Sequence, residues 1–268
     1  MKIPCFHIDA FARETFHGNP AAVCPLETWL PAATLQSIAA ENQLSETAFV
    51  VPRGGEFDLR WFTPVMEVDL CGHATLAAAF VLFTESNFSD DAIRFYSRSG
   101  ILQALRNDEI LTLDFPARPP MPRAMPESLV RGLGCLPVGA FKSRDFLVVF
   151  ETAEQVRLLH PDFGALKTLD CLGVIATAPG DDCDFVSRFF APGAGIDEDP
   201  ATGSSHCTLI PYWAQRLGKT KLFPRQVSRR GGELFCELAG DRVRIGGKAV
   251  LYLRGEIVLD ETATVHIK

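Results

Sequence analysis

Several things are scarce or missing in this chain of 268 residues. None of its eight cysteines forms a CxxC pair, which removes the usual zinc-finger and dithiol redox spacings. The longest apolar stretch, Leu76 to Phe83, is too short to cross a bilayer. Lys2 is followed by Pro4, Cys5, His7 and Asp9, without the apolar core of a secretory signal. Positive charge is short as well. With 26 Lys+Arg against 33 Asp+Glu the net charge is −7, which argues against a broad phosphate-binding surface. A small anion in a local positive pocket remains compatible with that balance. We therefore expect a cytoplasmic protein with neither nucleic acid nor membrane as partner. At 47% hydrophobic and 22% charged residues, the chain has enough apolar surface to fold.

Histidine is sparse and scattered. His7 and Asp9 would share a face if that segment were a strand, but two candidate ligands do not make a metal site, and no metal is expected.

What the chain does contain is an internal repeat. Arg60-Trp61-Phe62-Thr63-Pro64 returns as Arg188-Phe189-Phe190-Ala191-Pro192. In the same register Leu44 matches Leu172, Ala48 matches Ala176 and Phe57 matches Phe185. After a short insertion, Gly72 corresponds to Gly203, and each glycine precedes an apolar, helix-like run: Thr75 to Phe83 and Cys207 to Leu217. Phe57 to Phe62 and Phe185 to Phe190 read as strands ended by Pro64 and Pro192. Further strands are expected at 48–51, 93–96, 100–105, 110–115, 146–150, 173–178, 233–237, 242–245 and 249–258. Helices are expected at 31–42, with Thr28 or a neighbour as cap, and at 126–133. The proline-rich segment Pro116 to Pro122 reads as a structureless linker. The domains are accordingly expected at 1–117 and 118–268, with residues 260–268 packing on the first half.

Each Gly-bearing turn feeds a helix N-terminus, where free amides and the helix dipole favour a carboxylate. Alternatively, each glycine only makes a tight turn. The two copies differ where chemistry would need them to. Glu46 faces Val174 in the repeat register, and a carboxylate beside the apolar run 48–51 can be desolvated into a general acid/base. His73 stands opposite Ser204, as a catalyst or as a buried, hydrogen-bonded ring. Asp199 lies in the acidic cluster 197–199, which also reads as a solvated loop or a helix-dipole charge. Cys71 is matched by Thr202, so the second thiol of a two-thiol racemase is missing.

Gly18-Asn19-Pro20-Ala21-Ala22-Val23, Leu44-Ser45-Glu46-Thr47-Ala48-Phe49, the Arg60 pentad, Cys71-Gly72-His73-Ala74-Thr75 and Asp199-Pro200-Ala201-Thr202-Gly203-Ser204 follow one another in order. Together they resemble the phenazine-biosynthesis PhzF-like isomerase family over nearly the whole chain. The resemblance implies an α+β fold like that of diaminopimelate epimerase: two similar domains, each a β-barrel-like sheet around a central helix, with the active site in the interdomain cleft. It implies a homodimer that needs no metal and no organic cofactor. It makes Glu46 the general acid/base, with His73 and Asp199 positioning a small carboxylate substrate. It makes Gly72, Gly203, Ser204 and Asn19 substrate-binding residues. The best-understood family reaction isomerises trans-2,3-dihydro-3-hydroxyanthranilate by moving a hydrogen between ring carbons. Ser228-Arg229-Arg230-Gly231-Gly232-Glu233 departs from the phenazine-pathway branch and leaves the substrate open. Two other readings stay beside the isomerase: a racemase or epimerase using Cys71 as one of two unequal acid/base groups, and a binding protein that has lost turnover.

Overall fold

The computed structural model describes residues 1–86 and 88–260. Two compact units emerge, one made of residues 1–114 and the returning chain from Gly246, the other of residues 115–245. The packing expected of residues 260–268 falls, past Asp260, outside the described residues.

The first unit opens with β1 (Lys2–Ala10), β2 (Asn19–Pro25), α1 (Ala32–Asn42), β3 (Glu46–Arg53), β4 (Glu56–Phe62) and β5 (Glu67–Val68). It continues with α2 (Gly72–Thr84), β6 (Ala92–Ser97), β7 (Gly100–Asn107) and β8 (Ile110–Pro116). The second holds β9 (Met121–Pro122), α3 (Glu127–Leu133), β10 (Gly139–Lys142), β11 (Phe146–Val149), α4 (Ala153–Arg157) and α5 (Phe163–Leu166). Then come β12 (Val174–Pro179), β13 (Phe185–Phe190), β14 (Glu198–Asp199), α6 (Gly203–Leu217), β15 (Lys221–Leu222) and β16 (Arg225–Gln226). The chain ends with β17 (Gly232–Glu233), β18 (Phe235–Ala239), β19 (Arg242–Gly247) and β20 (Ala249–Val258).

The repeat is a repeat of topology. In the first unit β1–β2 is antiparallel, β2–β3 parallel, β3–β4 antiparallel and β4–β6 parallel. In the second, β10–β11, β11–β12, β12–β13 and β13–β16 follow the same sequence of senses. The short strands β5 and β14 add to β4 and β13 in the same register, Trp61 opposite Val68 and Phe189 opposite Asp199. Each parallel step needs a crossover, supplied by α1 and then α2 in one unit, and by α4 with α5 and then α6 in the other. The strand paths are open, so the sheets are not closed barrels.

Why the pentad recurs is now physical. Arg60 grips Glu67 through Nε and Nη2 at 2.7 and 2.8 Å, and Arg188 grips Glu198 through the same atoms at the same distances. Such forked pairs need arginine's planar donors, so lysine would not serve.

The helices differ in surroundings. Ala74, Ala77, Ala78 and Ala79 of α2 are all fully buried, and the helix packs against β1, β2, β3, β7 and β20. Being apolar all round, it forms the middle of its unit. α6 buries Trp213, whose indole donates to Thr177 Oγ1 at 3.0 Å and whose ring stacks on Phe185 at 5.3 Å. Pro211 lies inside α6 and denies the carbonyl of Cys207 its helical donor; the amide of Arg118 donates to that oxygen instead, at 2.8 Å. The linker is therefore tethered, and Met121–Pro122 pairs with β10, contrary to the structureless segment expected.

Three further expectations are corrected. β1 and β2 were not anticipated as strands, because Asn19-Pro20-Ala21-Ala22-Val23-Cys24-Pro25 is poor in β-formers and buried on both faces. Helix α1 begins after Pro31, with no side-chain cap from Thr28 or any neighbour. The repeat register upstream of the pentad is one residue out. Thr47 pairs with Phe62 and Val174 with Phe190, so Glu46 corresponds to Gly173 rather than Val174. A Cβ at Gly173 would meet the Phe190 carbonyl oxygen at 2.5 Å. No helix among the described residues is long and apolar enough to span a membrane.

Candidate active site

In the first unit, three segments converge. β2 starts at Asn19, β3 starts at Glu46, and Ala21 pairs with Glu46 across the parallel ladder. α2 starts at Gly72 with Cys71 at its N-cap. The beginnings of two parallel strands and a helix thus present Asn19, Glu46, Cys71 and His73 together.

His73 is the hub. Its Nε2 lies 3.0 Å from Oε2 of Glu46, and its Nδ1 lies 3.1 Å from Nδ2 of Asn19 and 3.5 Å from Sγ of Cys71. Ser45 Oγ donates to Oδ1 of Asn19 at 3.4 Å, which turns the Asn19 amide nitrogen toward the ring. Although His73 is buried and burial opposes a charge, the Glu46 carboxylate 3.0 Å away holds its pKa well above the usual imidazole value. Burial and the Glu46 charge push the Cys71 thiol up to about 11, so it keeps its proton at neutral pH. Glu46 Oε2 is buried, and among the described residues it has no hydrogen-bond partner besides Nε2 of His73. Glu46, Cys71 and His73 each bring a ligand atom within 4.8 Å of the others, but Cys71 Sγ lies nearer Nδ1 than Nε2 of His73, on the far side of the ring from Glu46, so one ion cannot bind all three.

The second unit gathers Asp199, Gly203 and Ser204. Asp199 is buried in β14, and its Oδ2 accepts from Thr202 Oγ1 at 2.5 Å, which replaces the solvated acidic loop of the sequence reading. Gly203 opens α6, and Ser204 Oγ accepts from Arg144 at 3.3 Å. Gln226 was not foreseen. Its Nε2 donates to the Asp199 carbonyl at 2.6 Å, and its Oε1 accepts from the Thr202 amide at 2.8 Å. No motif in the sequence marks a glutamine that works through a strand β16 of two residues. The helix starts at Gly72 and Gly203 both lack a side-chain cap, leaving first-turn amides to bind an anion.

His206 in α6 is a different kind of buried histidine. Its Nδ1 donates to the Thr202 carbonyl at 2.7 Å, and its buried Nε2 has no partner among the described residues. Burial lowers its pKa to about 4.

The fold is that of a broader class. At 12% identity and a TM-score of 0.64, the chain superposes on a probable proline racemase from Agrobacterium radiobacter, covering 98% of this chain and 95% of that one. The family is narrower: a model of phenazine biosynthesis-like proteins matches residues 8–255, and the chain belongs to this PhzF-like isomerase family. It is 51% identical to an uncharacterized isomerase of Pseudomonas aeruginosa, over 97% of this chain and all of that one. The crystal structure of a PhzF-family phenazine biosynthesis protein from Enterococcus faecalis matches with a TM-score of 0.95 at 50% identity, over 97% and 100% of the two chains. A Clostridium difficile phenazine biosynthesis PhzC/PhzF protein matches at 0.92 and 43% identity, over 96% and 100%.

Proposed function

We propose that the protein isomerises a small carboxylic acid, cyclic or bearing amino or hydroxyl groups, by moving one proton through Glu46. One observation carries this reading: a buried carboxylate oxygen held 3.0 Å from Nε2 of a buried histidine, with no other hydrogen-bond partner among the described residues. A structural glutamate would spend its remaining lone pair on a further donor, since leaving it unsatisfied is costly. A base instead keeps it for its substrate.

In the proposed step Glu46 takes a hydrogen from carbon as a proton. The electron pair left behind shifts the adjacent double bonds, and the protonated Glu46 returns the same proton to a second carbon. No net proton or electron is gained, so an acid/base group suffices. His73 steadies the carboxylate between transfers, and Asn19 fixes the ring. The uncapped amides at Gly72 are assigned to the substrate carboxylate; Gly203, Ser204 and Asp199 of the second unit are each proposed as substrate-binding residues. Trans-2,3-dihydro-3-hydroxyanthranilate is one candidate among several acids of this chemistry.

The test is a panel of such acids incubated with enzyme in D₂O and followed by NMR. The reading expects isomerisation with the migrating hydrogen largely retained, and loss of it in Glu46→Gln. Exchange with inversion at an α-carbon would favour the epimerase reading, for which the protonated thiol of Cys71 beside His73 could deliver the second proton.

A further inference from the structure

We propose that Cys5 and Cys24 are a peroxide-oxidisable dithiol, set across two neighbouring strands so that it closes into one disulfide. This inference does not rest on the isomerase reading.

The strand register brings the two thiols together. Phe6 pairs with Val23 in the antiparallel β1–β2 ladder, so Cys5 stands opposite Cys24 one step on. Met1 and Leu259 exchange both of their backbone hydrogen bonds, and Cys5 pairs with Gly255 in that same register. Every second residue from Met1, Cys5 included, therefore turns its amide and carbonyl toward β20. On the other strand, the Leu26 amide donates to the Val50 carbonyl of β3, and Cys24, two residues earlier, faces the same way. Cys5 and Cys24 are thus a non-hydrogen-bonded pair, the kind whose Cα atoms lie about 4.5 Å apart with side chains drawn together. A disulfide spans Cα separations from about 4.4 Å upward. The next pair is Pro4 opposite Pro25; neither has an amide hydrogen, so no ladder bond there resists adjustment.

The surroundings suit the chemistry. Both thiols belong to the buried cluster that includes Leu35 and Ile38 of α1, with Cys24 fully enclosed and Cys5 at 4% exposure. A groove of about 270 Å³ is lined by Ile38, Ile257 and Leu259 of that cluster, which gives a small neutral oxidant an approach. His7, half-buried, follows Cys5 on the same face. A hydrogen bond from Cys24, helped by His7, holds the Cys5 thiol below its usual pKa against its burial, while Cys24 is held above its own. Cys5 is accordingly the attacking sulfur. Its thiolate takes one oxygen of hydrogen peroxide: the O–O bond breaks, Cys5 becomes a sulfenic acid, and the departing hydroxide takes up the proton that Cys5 gave up. The Cys24 thiol then attacks that sulfur. An S–S bond forms, the S–O bond breaks, and the hydroxyl leaves with the Cys24 proton as a second water. Two thiols are oxidised and one peroxide is reduced to two waters. The loop so closed contains Asn19, and the strand that carries Asn19 to His73 is tied to β1.

The test treats the native full chain with hydrogen peroxide, then alkylates it and digests it with trypsin without reductant. Peptides 3–13 and 14–53 each hold one cysteine, so the pair should appear in mass spectrometry as one linked species, lighter by two hydrogens and split by dithiothreitol. Cys24→Ser should instead leave Cys5 as a sulfenic acid that dimedone captures. Should Cys24→Ser fail to fold, the wild-type linkage decides by itself. Cys5 and Cys24 both still alkylatable while exposed Cys135 oxidises would overturn the proposal. So would a scramble of pairings, the mark of oxidation in unfolded chains. The oxidised chain should also melt higher than the reduced one, because the link restricts the unfolded state. A lower melting temperature would mean that the pair is not built to close.

Discussion

Oε2 of Glu46 lies 3.0 Å from Nε2 of His73 and has no other hydrogen-bond partner among the described residues. The pair is charge-assisted, and the oxygen keeps a lone pair for a further partner. Asn19 and Cys71 meet the Nδ1 side of the same ring and fix its orientation.

The pair should leave a mark on stability at alkaline pH. A histidine whose folded pKa is raised contributes stability that is complete below its unfolded value of about 6.5 and lost as pH rises through the folded value. Urea midpoints of wild type should therefore fall between neutral and alkaline pH more than those of His73→Gln. Parallel curves would show that the pair adds nothing.

His206 predicts the opposite slope on the acid side. Its folded pKa of about 4 lies below the unfolded one, so the unfolded chain binds the extra proton and stability is lost as pH falls from 6.5 toward 4. The loss should approach about 3 kcal/mol by pH 4. In His206→Phe this acid limb should flatten.

Arg188 should matter more to stability than Arg60. Besides Glu198, it donates to the carbonyls of Val156, Arg157 and Leu159, tying α4 to β13. Arg188→Ala orphans a half-buried carboxylate and those carbonyls, and should cost about 2–4 kcal/mol by chemical denaturation. Arg60→Ala should cost less.

Gly18 places Asn19. It has φ +65°, and a Cβ there would meet the Ala10 carbonyl oxygen at 2.1 Å. Gly18→Ala should therefore shift the start of β2, destabilise the first unit by about 1–3 kcal/mol and lower turnover with it. An unchanged melting temperature would contradict this.

Much of this was legible in the sequence, and the exceptions have causes. The pentad was visible because two Arg–Glu forks impose the same side chains in both units. Glu46 stood out because its repeat partner carries no carboxylate, although the hairpins differ enough to hide that this partner is Gly173. β2 was hidden by its alanines and prolines. The meeting of Asn19 with His73 joins residues 54 apart, and the hold of Gln226 on Asp199 joins residues 27 apart. Contacts of that range depend on strand order, which spacing along the chain does not encode.

The central claim is that Glu46 carries the proton. Single-turnover kinetics on the first acid of the panel that wild type converts, compared with Glu46→Gln, test it most directly. The account predicts a rate lower by at least ~10²-fold, with substrate affinity nearly unchanged and the fold intact by circular dichroism. A Glu46→Gln enzyme that turns over at the wild-type rate would contradict it.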